Sequence, residues 1–182
     1  TMRVNMMEQT TSLPYYSNPY LQCVELPYGN QAFSMIAVLP PENGNIDQLV
    51  EHLNHIRWEG IVNNMKSERV WLKLPRFKIE CNIPLNQPLM NAGIQHIFRG
   101  GFPNISDEAF HVSYVLQKTF VEVNEEGTEA AAVTAMTITG YGVMRAPNEP
   151  VRFFADRPFL FLIREKSTGV ILFIGRIDEP RG

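Results

Sequence analysis

Cysteine is scarce in this chain. Cys23 and Cys81 are its whole complement among 182 residues, and they lie far apart, outside any CxxC spacing. That excludes a disulfide scaffold and a cysteine-rich zinc module. The two could form one bridge, but buried free thiols are the expected state. Charge imbalance is missing as well. Sixteen basic residues and 19 acidic ones are interspersed and leave a net charge of −3. This provides neither a nucleic-acid stripe nor a basic membrane face, so neither partner is expected. Long apolar runs are missing too, since the strongly apolar stretch Phe159 to Ile163 is far too short to span a bilayer. No secretory leader is visible. Thr1 opens directly into the strand-like Met2 to Met7, a start expected of the interior of a longer protein.

Enzyme signatures are equally thin. No GxSxG, GxxxxGK[ST], HExxH or GxGxxG pattern occurs. His52, His55, His96 and His111 have no metal-ligand spacing with the cysteines, and His52 and His55 fall on or beside an amphipathic segment where a solvated or capping role is expected. Nothing local supports Cys81 as a nucleophile. Glu125 and Glu126 would point to opposite faces of a strand, which argues against a shared acid/base site. No catalytic residue, metal or cofactor is expected.

What is present is a core: 45% of residues are hydrophobic, enough for one globular domain of this length. Leu21 to Leu26 and Phe33 to Leu39 read as strands of a hairpin across Pro27-Tyr28-Gly29-Asn30, ended by Pro40-Pro41. Apolar residues at 46, 49, 50 and 53 then predict a helix, with Asn45 as its cap and Gln48 reaching back. A weaker helix is expected over 56–65, strands over 69–74 and 77–83, and a short helix from Asn86 closed by Gly93. Phe110 to Val123 is the longest strand candidate. Three further strands are expected over 151–154, 159–164 and 170–174, the last two paired across a loop carrying Gly169. With strands dominant and helices grouped in the middle, the fold class is α+β, β-dominated, rather than α/β.

One stretch fits none of these patterns. Between Glu126 and Pro150 lies a connection of roughly 25 residues with mixed preferences, long enough to suggest either a flexible linker or a binding loop. It starts with small residues. Thr128, Ala130 and Ala132 would share one face of an extended strand, with Glu129, Ala131 and Val133 on the other.

The run Glu125-Glu126-Gly127-Thr128-Glu129-Ala130-Ala131-Ala132 closely resembles the reactive-centre-loop hinge of the serpins, the serine protease inhibitor family. Downstream, Phe153 to Ile163, centred on Asp156-Arg157-Pro158-Phe159, resembles the family's C-terminal signature, and Ile171 to Ile177 its last strand. Leu74-Pro75-Arg76 and Met6-Met7 fall where similar motifs sit. The resemblance covers essentially the whole chain but only the C-terminal half of a serpin. It implies residues 1–182 as the C-terminal portion of a single serpin domain, with parts of sheets A, B and C, short helices and a reactive-centre loop at about 126–150. A fragment of a larger inhibitor is expected, with the missing N-terminal half as its partner.

The resemblance further implies a suicide-substrate inhibitor of serine endopeptidases, with cysteine endopeptidases as the second target class, rather than an enzyme. The alternative is a non-inhibitory serpin with a binding or chaperone-like role. Family spacing from Glu125 places the reactive bond at Tyr141-Gly142, which suits a chymotrypsin-like protease. The stretch between Tyr141 and Val151 is longer than the family leads one to expect, which leaves Met144-Arg145 and Arg145-Ala146 as alternatives. The hinge would be Glu125 to Val133, with Glu125 paired to Arg76 at the breach. Gln117 stands where many serpins carry a histidine near the opening point of the sheet, so pH-sensitive opening there is in doubt. An extracellular location is the family's commoner one. Basic residues do not cluster, and no polyanion cofactor is implied.

Overall fold

The structure, a computed structural model, describes residues 4–55, 58–100, 102, 110–124 and 149–180. Its backbone contacts divide into two units, residues 1–77 with 123–182, and residues 78–122.

The larger unit is organised by a seven-stranded sheet. Its strands are β1 (Met6–Asn18), β2 (Leu21–Tyr28), β3 (Phe33–Leu39), β4 (Lys66–Pro75), β7 (Val151–Phe154), β8 (Phe159–Glu165) and β9 (Ile171–Ile177), in the order β7-β4-β1-β2-β3-β8-β9. All neighbours run antiparallel except β4 and β7, which are parallel. At 13 residues β1 is the longest strand, and it changes partner along its length. Met6 to Tyr15 pair with β4, whereas Tyr15 to Asn18 pair with β2.

Side-chain alternation builds a core on both faces of the β2-β3-β8 segment. On one face Leu21, Cys23, Ile36, Val38, Leu160 and Leu162 pack under Ile46 and Leu49 of α1 (Ile46–His55) and Ile61 of α2 (Trp58–Asn63). The cap of α1 is the expected one: the Asp47 N–H donates to Asn45 Oδ1 at 2.8 Å. On the opposite face Val24, Leu26, Met35, Ala37, Phe159 and Phe161 are buried. Here the Phe77 ring meets those of Phe159 and Phe161 at 5.8 and 5.3 Å between centroids. Continuous apolar runs such as Phe159–Leu162 follow from this two-sided burial.

The smaller unit contributes a two-stranded sheet of β5 (Phe77–Pro84) and β6 (Leu116–Val123), with α3 (Asn86–Asn91) and α4 (His96–Arg99) between them. Leu85 N–H bonds Val115 O, and Asn86 Oδ1 accepts from Val115 N–H, which ties the start of α3 to the residue before β6. Among the described residues no helix is long and apolar enough to cross a membrane.

Three expectations are corrected. Pro27 and Tyr28 belong to β2, and the hairpin turn is Gly29 to Ala32, where Gly29 and Gln31 take positive φ of 40° and 66°. The strand expected from Phe110 starts only at Leu116, because the Ser113 carbonyl and the Val115 amide and carbonyl are used by Leu85 and Asn86 instead of a strand neighbour. Both cysteines are free, but only Cys23 is buried, where desolvation pushes its thiol up to about 12; Cys81 is exposed on β5.

Toward the hairpin end of the helix-covered face the core turns polar. Glu25 is 4% exposed and Ser34 is fully buried. Glu25 Oε1 accepts from Ser34 Oγ at 2.7 Å and Arg164 Nη2 at 3.0 Å, and Lys166 Nζ lies 3.8 Å away. Burial alone would raise the Glu25 carboxyl, but these donors and cations outweigh it and hold it below the ordinary value. A lowered folded-state value means stability present above the usual glutamate range and lost as pH falls through it. Glu25→Gln should therefore cost about 3–5 kcal/mol at neutral pH by stranding the buried guanidinium. In urea unfolding, the gap between variant and native protein should close as pH drops below about 4.

Candidate functional site

The connection that the sequence singles out is framed by β6 before it and β7 after it. Glu125 to Val133, Tyr141, Gly142, Met144, Arg145 and Ala146 all lie outside the described residues. Two implied site residues are described. Arg76 occupies the single-residue break between β4 and β5, exposed, with its N–H donated to Asn5 O at 3.0 Å. Gln117 is the second residue of β6 and is exposed. The Arg76–Glu125 pairing thus has one described member.

The flank with the richest local structure is β7. It is only four residues long, sits at the edge of the seven-stranded sheet and, among the described strands, pairs with β4 alone. Short edge strands fray unless side chains hold them. Here the buried Phe153 anchors one face. The register Val70↔Val151, Trp71↔Arg152, Leu72↔Phe153, Lys73↔Phe154 places Arg152 and Phe154 on the outward face beside Trp71 and Lys73.

Those outward side chains interlock. The Trp71 and Phe154 rings meet edge to face, with centroids 5.0 Å apart at 87°. Lys73 Nζ lies 5.0 Å from the Trp71 centroid and 5.2 Å from that of Phe154, and the Arg152 guanidinium stands 5.9 Å over Trp71. From β1, Glu8 closes the row: its Oε1 accepts the Trp71 indole N–H at 2.6 Å and its Oε2 pairs with Lys73 at 3.3 Å. The indole bond is the main cause holding the Glu8 carboxyl below its ordinary value; slight desolvation opposes it, and Lys73 adds to it.

Past β7 the chain is locked again. Ala155 N–H continues the ladder to Lys73 O at 2.8 Å. Arg157 then reaches back across 117 residues, donating from Nε and Nη2 to Pro40 O at 3.1 and 2.9 Å, and pairs with Asp156 at 3.0 Å. The central arginine of the quoted signature is thus a fork that fixes the β7–β8 connection to the end of β3. A cleft of about 420 Å³, with Tyr15, Tyr16, Lys66 and Glu68 in its wall, opens at Val151, the first residue of β7. Sequence reasoning gave no role to Glu8, Trp71, Lys73, Arg152 or Phe154. The alternation Arg69-Val70-Trp71-Leu72-Lys73-Leu74 does put Trp71 and Lys73 on one face, but their neighbours on β1 and β7 depend on register.

Among the described residues no group of three or more His, Cys, Asp or Glu could hold a metal ion.

A family model described as Serpin (serine protease inhibitor) matches residues 1–180. An uncharacterised serpin-like protein of Thermococcus kodakarensis is 40% identical over 100% of this chain and 42% of its own length. The leukocyte elastase inhibitor of Xenopus laevis is 38% identical over 97% of this chain and 48% of its own. Among solved structures, native protease nexin-1 with heparin superposes with a TM-score of 0.79 at 32% identity, over 97% of this chain and 48% of that one. The chain spans less than half the length of these relatives.

The side-chain row on β7 is testable. Phe154→Ala should speed amide exchange at Val151 to Ala155 by roughly five-fold or more while β2 and β3 stay protected, since removing an aromatic contact costs about 1 kcal/mol or more. Unchanged exchange at Ala155 would show that backbone bonding alone holds the strand.

Proposed function

The chain belongs to the serpin family, and on that premise we propose that the whole protein is a suicide-substrate inhibitor of endopeptidases, with residues 126–150 as its bait. The observation that carries this reading is in the sequence: Thr128, Ala130 and Ala132, which would share one face if the segment became a strand, are all small. A segment that waits outside as loop and enters a packed sheet must bring no bulky or charged inward side chain, because misfits in a close-packed interior cost about 1–3 kcal/mol each.

The chemistry runs in two competing branches. The nucleophile of the protease attacks the Tyr141 carbonyl and expels the Gly142 amine, leaving an acyl-enzyme. Water can then hydrolyse the ester and release a cut substrate. In the other branch, the freed hinge inserts as a new strand and carries the acylated protease with it before hydrolysis. Serpin loop insertion is itself an established instance of strand addition and of stored-strain release. Inhibition therefore depends on the rate of insertion relative to deacylation.

The remaining roles follow from this premise. Glu125 paired with Arg76 would hold the top of the sheet closed, and Gln117 would supply a hydrogen bond without titration. Tyr141 favours a chymotrypsin-like serine protease; Met144-Arg145 and Arg145-Ala146 are the other bonds in reach. The accepting sheet needs strands from the rest of a longer protein. In support, the described part of the β5–β6 sheet leaves Ile83, Leu116 and Phe120 exposed, apolar surface that further chain would cover. Extracellular action is part of the same proposal. A non-inhibitory binding role would fit a poor hinge, and this hinge is a good one.

Incubated with chymotrypsin, full-length protein should give a covalent complex that survives SDS, and Tyr141→Ala should weaken it selectively. Clean cleavage without complex would sink the reading. Thr128→Arg should leave the cleavage rate nearly unchanged while slowing insertion by roughly 5- to 150-fold, converting inhibitor to substrate. Inhibition that survived this change would rule out loop insertion.

A further inference from the structure

The start of α1 closes a small concavity that the inhibitory reading does not use. Three segments wall it: the β1–β2 turn with Pro19 and Tyr20, the β3–α1 connection from Pro41 to Asn45, and the helix face carrying Gln48, Leu49 and His52. Its volume is about 290 Å³, at the small end of the range of ligand pockets. Each wall is held from behind. Asn18 Oδ1 accepts the Tyr20 and Leu21 N–H groups at 2.8 and 2.9 Å. The Arg157 fork grips Pro40 O, one residue before Pro41. Gly44 N–H donates to Pro41 O at 2.8 Å, and a Cβ on Gly44 would stand 2.8 Å from Pro41 Cδ, so this turn closes only with glycine there. The site is therefore shaped before any ligand arrives, which lowers the ordering cost of binding.

The lining points to the chemistry of the ligand. Tyr20 is 58% exposed, and its ring stacks on that of His52 with centroids 4.2 Å apart, so a flat apolar surface is held in place in the wall. The side chains of Asn43 and Gln48 have no hydrogen-bond partner among the described residues, and Asn45, whose Oδ1 caps Asp47, keeps its NH2 to donate. None of the described lining residues is Lys, Arg, Asp or Glu, so a charged ligand would meet no counter-charge. The helix end offers no anion site either: Asp47 N–H is already capped, and the Asp47 carboxylate, paired with Arg176, stands in that first turn. A carboxamide both donates and accepts, as a hydroxyl does. A proline-rich peptide brings carbonyl acceptors but few donors and needs a groove several residues long, which this cavity is not. We propose that the concavity is a binding site for a neutral sugar residue, a single uncharged pyranose. The C–H face of the sugar rests on Tyr20, and its hydroxyls exchange hydrogen bonds with Asn43, Asn45 and Gln48. Nothing in this reading depends on the chemistry of the loop, and its test contains no protease.

Full-length protein is titrated with the methyl glycosides of glucose, galactose, mannose, fucose and N-acetylglucosamine, read by saturation-transfer NMR. At least one should bind with a dissociation constant of about 1–10 mM, the range open to a ligand of that size, with saturation strongest on the C–H protons of one ring face. Tyr20→Ala should weaken binding roughly ten-fold and Tyr20→Phe hardly at all, since the ring and not its hydroxyl supplies the surface. Gln48→Ala should weaken it about five-fold through lost hydrogen bonds. Both side chains are exposed, so unfolding midpoints should stay native; if that of Tyr20→Ala falls, Gln48→Ala and Asn43→Ala carry the test. An oligosaccharide ending in the preferred unit separates the two sources of such a ring: tighter binding marks a glycan terminus, equal binding a free sugar. Failure of the native protein to bind any glycoside at about 50 mM would overturn the site. So would binding that Tyr20→Ala and Gln48→Ala leave unchanged, or a sulfated sugar held more tightly than its neutral parent. A Pro-x-x-Pro peptide that bound through Tyr20 where no sugar did would assign the cavity to peptide and overturn the proposal as well.

Discussion

The molecule depends on one strand that serves two partners. β1 pairs with β4 over its first ten residues and with β2 over its last four, sharing Tyr15 between them. Among the described strands, β1 supplies the ladder that joins β4 and β7 to the β2-β3-β8-β9 core, and the Arg157 fork on Pro40 O adds a side-chain link. A 13-residue strand can do this because its side chains need bury only where each partner requires it. Toward β4 it presents Glu8, Thr10 and Ser12 outward; toward β2 it places Tyr16 against the apolar cluster.

That arrangement sets the mechanical character of the loop's C-terminal end. β7 sits as a parallel edge strand on β4, as far from the double-sided core as the sheet extends. Such a strand has few backbone bonds, and the outward row of Glu8, Trp71, Lys73 and Phe154, together with the Arg157 fork on Pro40, supplies what the backbone does not. In the proposed mechanism the connection 126–150 needs one fixed end, and the described anchoring of β7 fits a fixed C-terminal end.

Buried polarity is concentrated at the other end of the same sheet. Glu25, Ser34 and Arg164 are buried with Lys166 half-buried beside them, and the Glu25 carboxylate takes its donors from Ser34 and Arg164, although Arg164 Nε has no partner among the described residues. This group gives β2, β3 and β8 one register, since a slip by one residue would bring an unpaired charge onto the apolar face.

Local pattern determined a good deal by itself. Apolar runs such as Ser34 to Leu39 and Phe159 to Leu162 became strands buried on both faces, and the period at 46, 49, 50 and 53 became a helix that covers Ile46, Leu49 and part of Leu53 while Val50 stays exposed. The small-residue run Glu125 to Ala132 and the Asp156-Arg157-Pro158-Phe159 motif carried the resemblance to the family, and in the second of these Arg157 is constrained by the Pro40 carbonyl that it holds. Tertiary structure alone decided the rest. The full length of β1 was hidden because Glu8 to Ser12 is polar on both faces and Pro14 interrupts the run, so only pairing with β4 reveals a strand. Phe110 to Val115 had every β-branched and aromatic cue, yet hydrogen-bonds locally to Leu85 and Asn86 instead of joining a ladder. The Arg152–Trp71–Lys73–Glu8 row spans 144 positions in the chain, and long-range register, which no local preference encodes, is what makes those residues neighbours.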